Sequence, residues 1–503
     1  MKQVTCLGSL LAVILGSVTG VRADEVKVKG LPKITISGEV DLRGVFRNDD
    51  LMDINAGILR VPSGSGASHS DFFADPDLLL NIDIENPGTP LWNARLAFKT
   101  PQYLMDDFGA QMREVHIKEG YIEVPQLIIE PVKLRFGIMD YKTDVRKNGQ
   151  SFLFHPYESE SAFFKRFGNS AGAGGPIVIP VGSNGNGTFA SAGTSAAPGA
   201  FLEGVGPGSS TGEANTLETA GALLTYATGG ISLEAFYFNL VELRDVGIGD
   251  EVAFGAVATY DLQERGRVQA LYIGFEDDSS SHIHNIGVGA SVLPIATDRF
   301  GSLEAYGEFV YQFGKLATNV PDLGGRDLRQ DSFATYAGVR YVLPGSNLKP
   351  GFDFSYWYIK GDNTSNSNVN NDFVSYENID DTMIVEENDY GLDIDTNYMA
   401  WKFRFMLGWD LNDTDEIEQD FELSVLYANF HLEQAERNQP EKIGDEIDVR
   451  LLWNYSTSLS FYAGAGWLWD ARAINHGHKV TGTAGAPDGN DLAIFTFGTT
   501  LKF

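Results

Sequence analysis

The feature that most restricts the fold is a period-two alternation of apolar and polar side chains that recurs along the chain. Ile34, Ile36, Gly38, Val40, Leu42, Gly44 and Phe46 fall on one face of an extended segment; Thr35, Ser37, Glu39, Asp41, Arg43 and Arg47 fall on the other, with Val45 breaking the pattern. Side chains of a strand point alternately to its two faces, so this segment has one apolar and one charged side. It outruns the usual strand of about 5–6 residues and suits a tilted membrane-crossing strand, which needs about 9–11. The same alternation sets Trp92, Ala94, Leu96 and Phe98 against Asn93, Arg95 and Lys99, and Val132, Leu134, Phe136 and Ile138 against Lys133 and Arg135. Further on it sets Trp401, Phe403, Phe405, Leu407 and Trp409 against Lys402, Arg404 and Asp410. A soluble sandwich also alternates, but seldom over strands this long with so many charges on one side.

Segments of this kind begin near residues 33, 77, 91, 112, 131, 217, 231, 251, 266, 284, 302, 332, 347, 400, 418, 444, 459 and 491. They predict an all-β transmembrane antiparallel barrel of about 18 strands, an even number as single-chain bacterial barrels require. The connections test this independently, because such barrels carry short turns at one end and long loops at the other. The even connections are short: Pro87-Gly88-Thr89-Pro90, Gly229-Gly230, Gln263-Glu264, Pro344-Gly345-Ser346 and Ser456-Thr457-Ser458. The odd ones are mostly longer, with the longest near 48–76, 143–216 and 361–399. A strand miscounted early would invert this parity downstream, and it holds to the end.

The two ends of the chain carry the addresses that such a barrel needs. The apolar run Leu7–Val21 follows Lys2 and leads into Val21-Arg22-Ala23. It is too short to span a bilayer, which takes about 20 apolar residues, and has the form of a secretory signal peptide over 1–23. A short periplasmic segment over 24–32 and the barrel over 33–503 follow from that reading. Cys6, the one cysteine, falls inside the signal, so the mature chain has no thiol, disulfide or cysteine metal ligand. At the other end Phe503, Leu501 and Phe497 share one face of the last strand. A terminal aromatic there is the form of signal that the outer-membrane insertion machinery reads. Lipid and that machinery are the expected partners, in the outer membrane of a Gram-negative-type bacterium, with a monomer favoured.

The formal charge of −31 argues against nucleic acid, whose phosphates demand a basic face. Two loops stand out. The Gly-, Ser- and Ala-rich stretch from Gly168 to Asn215 reads as a mobile external loop, with inward folding to constrict the pore as the alternative. The acidic stretch 361–397, with Asp380-Asp381, Glu386-Glu387, Asp393 and Asp395, offers hard oxygen ligands that could hold Ca²⁺; a solvated acidic loop is the simpler reading. Signals for enzyme chemistry are missing: the histidines form no HExxH, His282 and His284 have no evident acidic partner on a strand, and Gly172–Gly175 opens no helix. Asp410–Asp415 lacks the glycine and distal glutamate of an EF-hand and reads as a periplasmic turn.

Several runs resemble strands of alginate-export-type outer-membrane porins: Glu119–Pro125 with Pro131–Gly137, Tyr306–Gly314, Lys349–Tyr356 with the loop start Gly361-Asp362, and Gly444–Arg450 followed by Leu459–Trp467. The likeness covers much of the mature chain through individually weak motifs. It implies an eighteen-stranded channel for an anionic polysaccharide or related solute, with arginines in the lumen. The residues placed inward are mixed: Arg43, Arg95, Lys99, Lys133, Arg135, Arg340, Lys402, Arg404 and Arg450 beside Glu39, Asp41, Glu304, Glu308, Glu422 and Asp448. Opposed charges on a pore wall orient solutes and select by charge. The expected function is passive diffusion of hydrophilic, charged solutes. A general cation-preferring porin with an acidic mouth, or a structural or adhesive surface protein with a plugged lumen, stay open as alternatives.

Overall fold

The computed structural model describes residues 32–49, 69–86, 91–99, 116–127, 131–139, 141, 143, 220–241, 251–277, 282–297, 299–316, 328–344, 348–361, 368–371, 373, 381–386, 394, 397–409, 420–435, 441–471 and 492–503. Almost all of them are strand. In chain order the strands are β1 (Lys33–Asp49), β2 (His69–Asn86), β3 (Trp92–Lys99), β4 (His116–Val124), β5 (Val132–Ile138), β6 (Ala220–Thr228), β7 (Ile231–Val241), β8 (Glu251–Asp261), β9 (Gly266–Asp277) and β10 (His282–Thr297). They continue with β11 (Gly301–Leu316), β12 (Leu328–Val342), β13 (Gly351–Ile359), β14 (Val369–Asn370), β15 (Tyr398–Trp409), β16 (Phe421–Leu432), β17 (Lys442–Asn454), β18 (Leu459–Trp469) and β19 (Leu492–Lys502).

Each wall strand pairs antiparallel with the next, β13 passing directly to β15, and β19 returns to pair with β1 from Glu39↔Lys502 to Asp49↔Leu492. The wall is thus a closed circuit of 18 strands, and β14 is a two-residue addition that pairs parallel with β12. Closure leaves no open edge, which is what lets a sheet exist in hydrocarbon, where no water can satisfy backbone groups. At the seam, Gly38 and Phe503 exchange both backbone hydrogen bonds, at 2.9 and 3.0 Å. The strand count, the order and the parity of the loops agree with the sequence; β2 begins at His69, earlier than its alternation suggests.

Alternation sorts the side chains as expected. Ile34, Ile36, Ile122, Phe136, Leu233, Val288, Phe354, Trp401, Phe403, Val449, Phe495 and Phe497 are exposed on the outer wall. In a barrel this apolar wall meets lipid tails, which need no hydrogen bonds from it. Tyr226, Tyr260, Trp453 and Tyr455 lie outward beside the short turns, where amphipathic rings favour the headgroup level. The turn Gly229-Gly230 has φ of 56° and 84°, the left-handed pair that a two-residue hairpin demands and glycine supplies without strain.

The inner wall departs from simple polarity over β7 to β9. Phe236, Phe238, Val257, Leu271, Ile273 and Phe275 point inward and are buried. Tyr141, just after β5, packs on them at 4.9 Å from the Phe236 ring and 5.6 Å from Phe238, and donates its hydroxyl to Glu234 at 2.6 Å. The chain leaving β5 therefore turns into the barrel at its start. The stretch from Gly168 to Asn215, the signal over 1–23 and the segment 24–31 lie outside the described residues.

Candidate functional site

Between β13 and β15, the described residues 368–371 and 381–386 lie inside the barrel and attach to two parts of the wall. The first attachment is β14, which pairs with Arg329 and Gln330 of β12. There Asn370 donates to Gln330 at 2.6 Å, Gln330 donates to Gln312 at 3.1 Å, and Ser332 donates to the Asn371 carbonyl at 2.6 Å. These are uncharged amide and hydroxyl contacts, and Gln312, Gln330 and Asn370 are buried. Mutual pairing is what permits polar groups to be buried at all.

The second attachment, Asp381–Glu386, is ionic. Two carboxylates of β17 accept its backbone donors: Glu446 takes the amides of Ile384 and Val385 at 2.7 and 3.0 Å, and Asp448 takes that of Met383 at 2.9 Å. Room for the segment comes from glycines on β18. A Cβ on Gly466 would sit 2.9 Å from the Met383 Cβ, and one on Gly464 would sit 2.9 Å from the Met383 Cε. Lys402 of β15 donates to Glu386 at 2.6 and 2.7 Å and to Asp381 at 3.2 Å, with the Trp357 ring 4.3 Å from its ammonium. Tyr398 donates to Glu386 at 2.5 Å. Arg404 bonds the Asp381 carboxylate, and Arg450 reaches the Asp381 carbonyl at 3.1 Å. Burial disfavours charge on Asp381, but Arg404, Lys402 and Arg450 outweigh it and hold its carboxyl well below the usual carboxylate range.

Beside this segment, toward the short-turn end, lies a cavity of about 710 Å³ whose lining includes Arg43, Arg340, Lys349, Arg404, Arg450 and Tyr462. Among the described residues, Glu422 is its one lining carboxylate. Two tyrosines brace its wall in the same way. Tyr462 of β18 lies over Gly498 of β19 and donates to Asp41 of β1 at 3.0 Å. Tyr306 of β11 lies over Gly338 of β12 and donates to Asp353 of β13. In each case a missing Cβ lets one ring cross a strand and hold a carboxylate two strands away. Arg43 sits 3.6 Å from Asp41 and donates to the Tyr462 hydroxyl at 3.3 Å. By contrast the Arg340 Nε is buried with no hydrogen-bond partner. Cations without full compensation in a confined, low-dielectric space attract anions strongly.

The candidates from the sequence thus divide. Arg43, Arg340, Arg404 and Arg450 come together around the cavity, and Lys402 holds the segment above it. Arg95, Lys133 and Arg135 belong to a separate balanced ladder: Arg95 meets Glu119 at 2.7 Å, while Lys133 and Arg135 meet Glu123 at 3.6 and 3.0 Å. The side chain of Lys99 lies outside the described residues. Glu39 pairs with Lys502 at 3.7 Å near the seam, Glu304 accepts from Ser291 at 2.7 Å, and Glu308 is buried on the inner face of β11. Asp448 serves the inward segment and not solvent. Phe503 and Phe497 lie outward against Gly38 and Gly44, with Leu501 paired to Val40.

One expectation is overturned. The acidic stretch 361–397 is not simply a solvated loop: Asp381 and Glu386 are bound by wall cations, and Glu386 is sealed. Asp380, Glu387, Asp393 and Asp395 lie outside the described residues, and among the described residues no cluster suits a metal ion. The residues that sequence reasoning missed are Met383, Ile384 and Val385 with the paired tyrosines. An apolar triplet inside an otherwise polar loop was the available sign that this part is buried.

A closed antiparallel barrel with an apolar outer wall and charged residues on its inner wall defines an outer-membrane porin architecture, and so places the chain in a Gram-negative outer membrane. Neither family models nor curated proteins match its sequence. Among solved structures, OccK9 (OpdG) of Pseudomonas aeruginosa shares the fold at 10% identity and a TM-score of 0.50, over 93% of this chain and 98% of that one. The outer membrane protein OpdK of Pseudomonas aeruginosa aligns at 11% and 0.48 over 93% and 99%, and OccK11 (OpdR) of the same organism at 12% and 0.47 over 93% and 96%. The likeness is one of fold, and it is not specific to alginate-export channels.

Proposed function

We propose that the protein is a passive channel preferring small hydrophilic anions, and that the cationic chamber beside Asp381–Glu386 is where preference is set. The observation that carries this reading is the composition of that chamber: four arginines and Lys349 against Glu422, with Arg340 and Lys349 in no ion pair among the described residues. Asp41 and Asp381 pair with Arg43 and Arg404 at its edge, which leaves Arg340, Arg450 and Lys349 as the lining cations that no carboxylate bonds among the described residues. A volume of about 710 Å³ falls in the range of sites for ligands of drug size, about 300–1,000 Å³. A segment docked along the wall from β12 to β17 occupies part of the lumen and favours compact solutes over a polyuronate chain, so the polymeric cargo of alginate-export channels is not part of the reading.

Liposome swelling tests this. Vesicles carrying the protein should admit small monoanionic sugars faster than neutral or cationic sugars of equal size. Faster entry of the cations would instead support the cation-preferring pore, and no entry would support a plugged surface protein.

A further inference from the structure

The contacts of Asp381–Glu386 differ in their access to the chamber. Glu386 is sealed at 0% exposure between Lys402 and Tyr398, whereas the Asp381 side chain keeps 22%. The two arginines that Asp381 engages, Arg404 and Arg450, are themselves part of the chamber wall. The amides of residues 383–385 are held by Glu446 and Asp448 and do not depend on Asp381. Its carboxylate can therefore leave Arg404 while the rest of the segment stays docked.

We propose that Asp381 is a tethered competitor for the solute: its carboxylate holds the position at Arg404, beside Arg450, that an entering carboxylate would take. This rests on the anion-channel reading and adds to it a residue that sets apparent affinity. A guanidinium binds a solute carboxylate and a side-chain carboxylate by the same charge-assisted bonds, so the two exclude one another at Arg404. Tethering gives Asp381 a large advantage, since a ligand on a short link acts at a millimolar effective concentration. The channel then binds its solute weakly enough to release it, as conduction requires. The neighbouring Lys402 is not released with Asp381, because Glu386 retains it.

The test is the block of chloride current by succinate in planar bilayers holding the purified full-length protein. Asp381→Asn keeps the shape and removes the competing charge. It should lower the half-blocking succinate concentration several-fold, because the tethered competing carboxylate is gone. Asp381→Glu restores the carboxylate and should return the block toward the wild-type value. Heat-dependent gel mobility confirms that each variant is a folded barrel. Block by succinate unchanged or weakened in Asp381→Asn, with anion preference intact in the wild type, would overturn the tethered-competitor role alone. Cation preference in the wild type would overturn the anion-channel reading and this role with it.

Discussion

The Lys402 ammonium and the Glu386 carboxylate meet at 2.6 Å with side chains 2% and 0% exposed, inside the barrel of a membrane protein. Two charges this thoroughly removed from water persist only if each satisfies the other. Replacing one of them leaves its partner buried and unpaired, at a cost of about 3–5 kcal/mol. Lys402→Met should therefore release the segment Asp381–Glu386 and raise single-channel conductance several-fold, while the wall, which closes through backbone bonds, still forms. Unchanged conductance would show that the segment is held without this pair.

A steric release should behave differently from an electrostatic one. Gly466→Val puts atoms where Met383 lies, an overpacking that costs about 1–3 kcal/mol. It should also enlarge conductance, but leave Arg404 and Arg450 in place. Anion preference should persist in a wider pore, read from conductance and reversal potential in the same membrane.

The tyrosine braces predict a stability effect. Gly498→Ala places a methyl group against the Tyr462 ring, and Gly338→Ala does so against Tyr306. Each should destabilise the barrel by about 1–3 kcal/mol, seen as a lower temperature at which the folded band is lost on gels. Gly498→Ala acts beside the β19–β1 seam and also disturbs Asp41 and Arg43, so it should alter ion preference as well.

The segment should respond to acid in one direction. The Asp381 carboxyl is held well below its ordinary value near 3.8, so its contribution to docking is complete above that ordinary value and is lost as pH falls through the docked one. Burial pushes Glu386 upward against the pull of Lys402, and the docked state therefore binds that proton more tightly, which does not release the segment. Because the amides of residues 383–385 stay held by Glu446 and Asp448, losing the Asp381 charge frees Arg404 without undocking the segment, so chloride preference at constant salt should stay flat from pH 8 to pH 5 and rise only in stronger acid. A rise centred between pH 6 and 7 would contradict this.

Much of the wall was legible because lipid on one side and water on the other impose period two on each strand; Ile34 to Phe46 displays it over the whole of β1. It failed over β7 to β9, where Phe238, Ile273 and Phe275 point inward. There the inner wall packs against buried chain, including Tyr141, so both faces are apolar and alternation disappears. The inward charges were legible individually, since parity fixes the face. Their grouping was not: which arginines share a chamber depends on the register of strands far apart in sequence, as for Arg43 on β1 and Arg340 on β12. The role of Asp381 depended on a loop turning inward, and only Met383-Ile384-Val385 signalled it.

The most direct test of the central claim is the reversal potential across a potassium chloride gradient, for the wild type and for Arg340→Ala combined with Arg450→Ala. These two arginines line the chamber without a carboxylate bonded to either. The wild type should favour chloride, and the double variant should lose most of that preference with conductance little changed. A wild-type channel that favours potassium, or a double variant with undiminished chloride preference, would contradict the assignment of selectivity to this chamber.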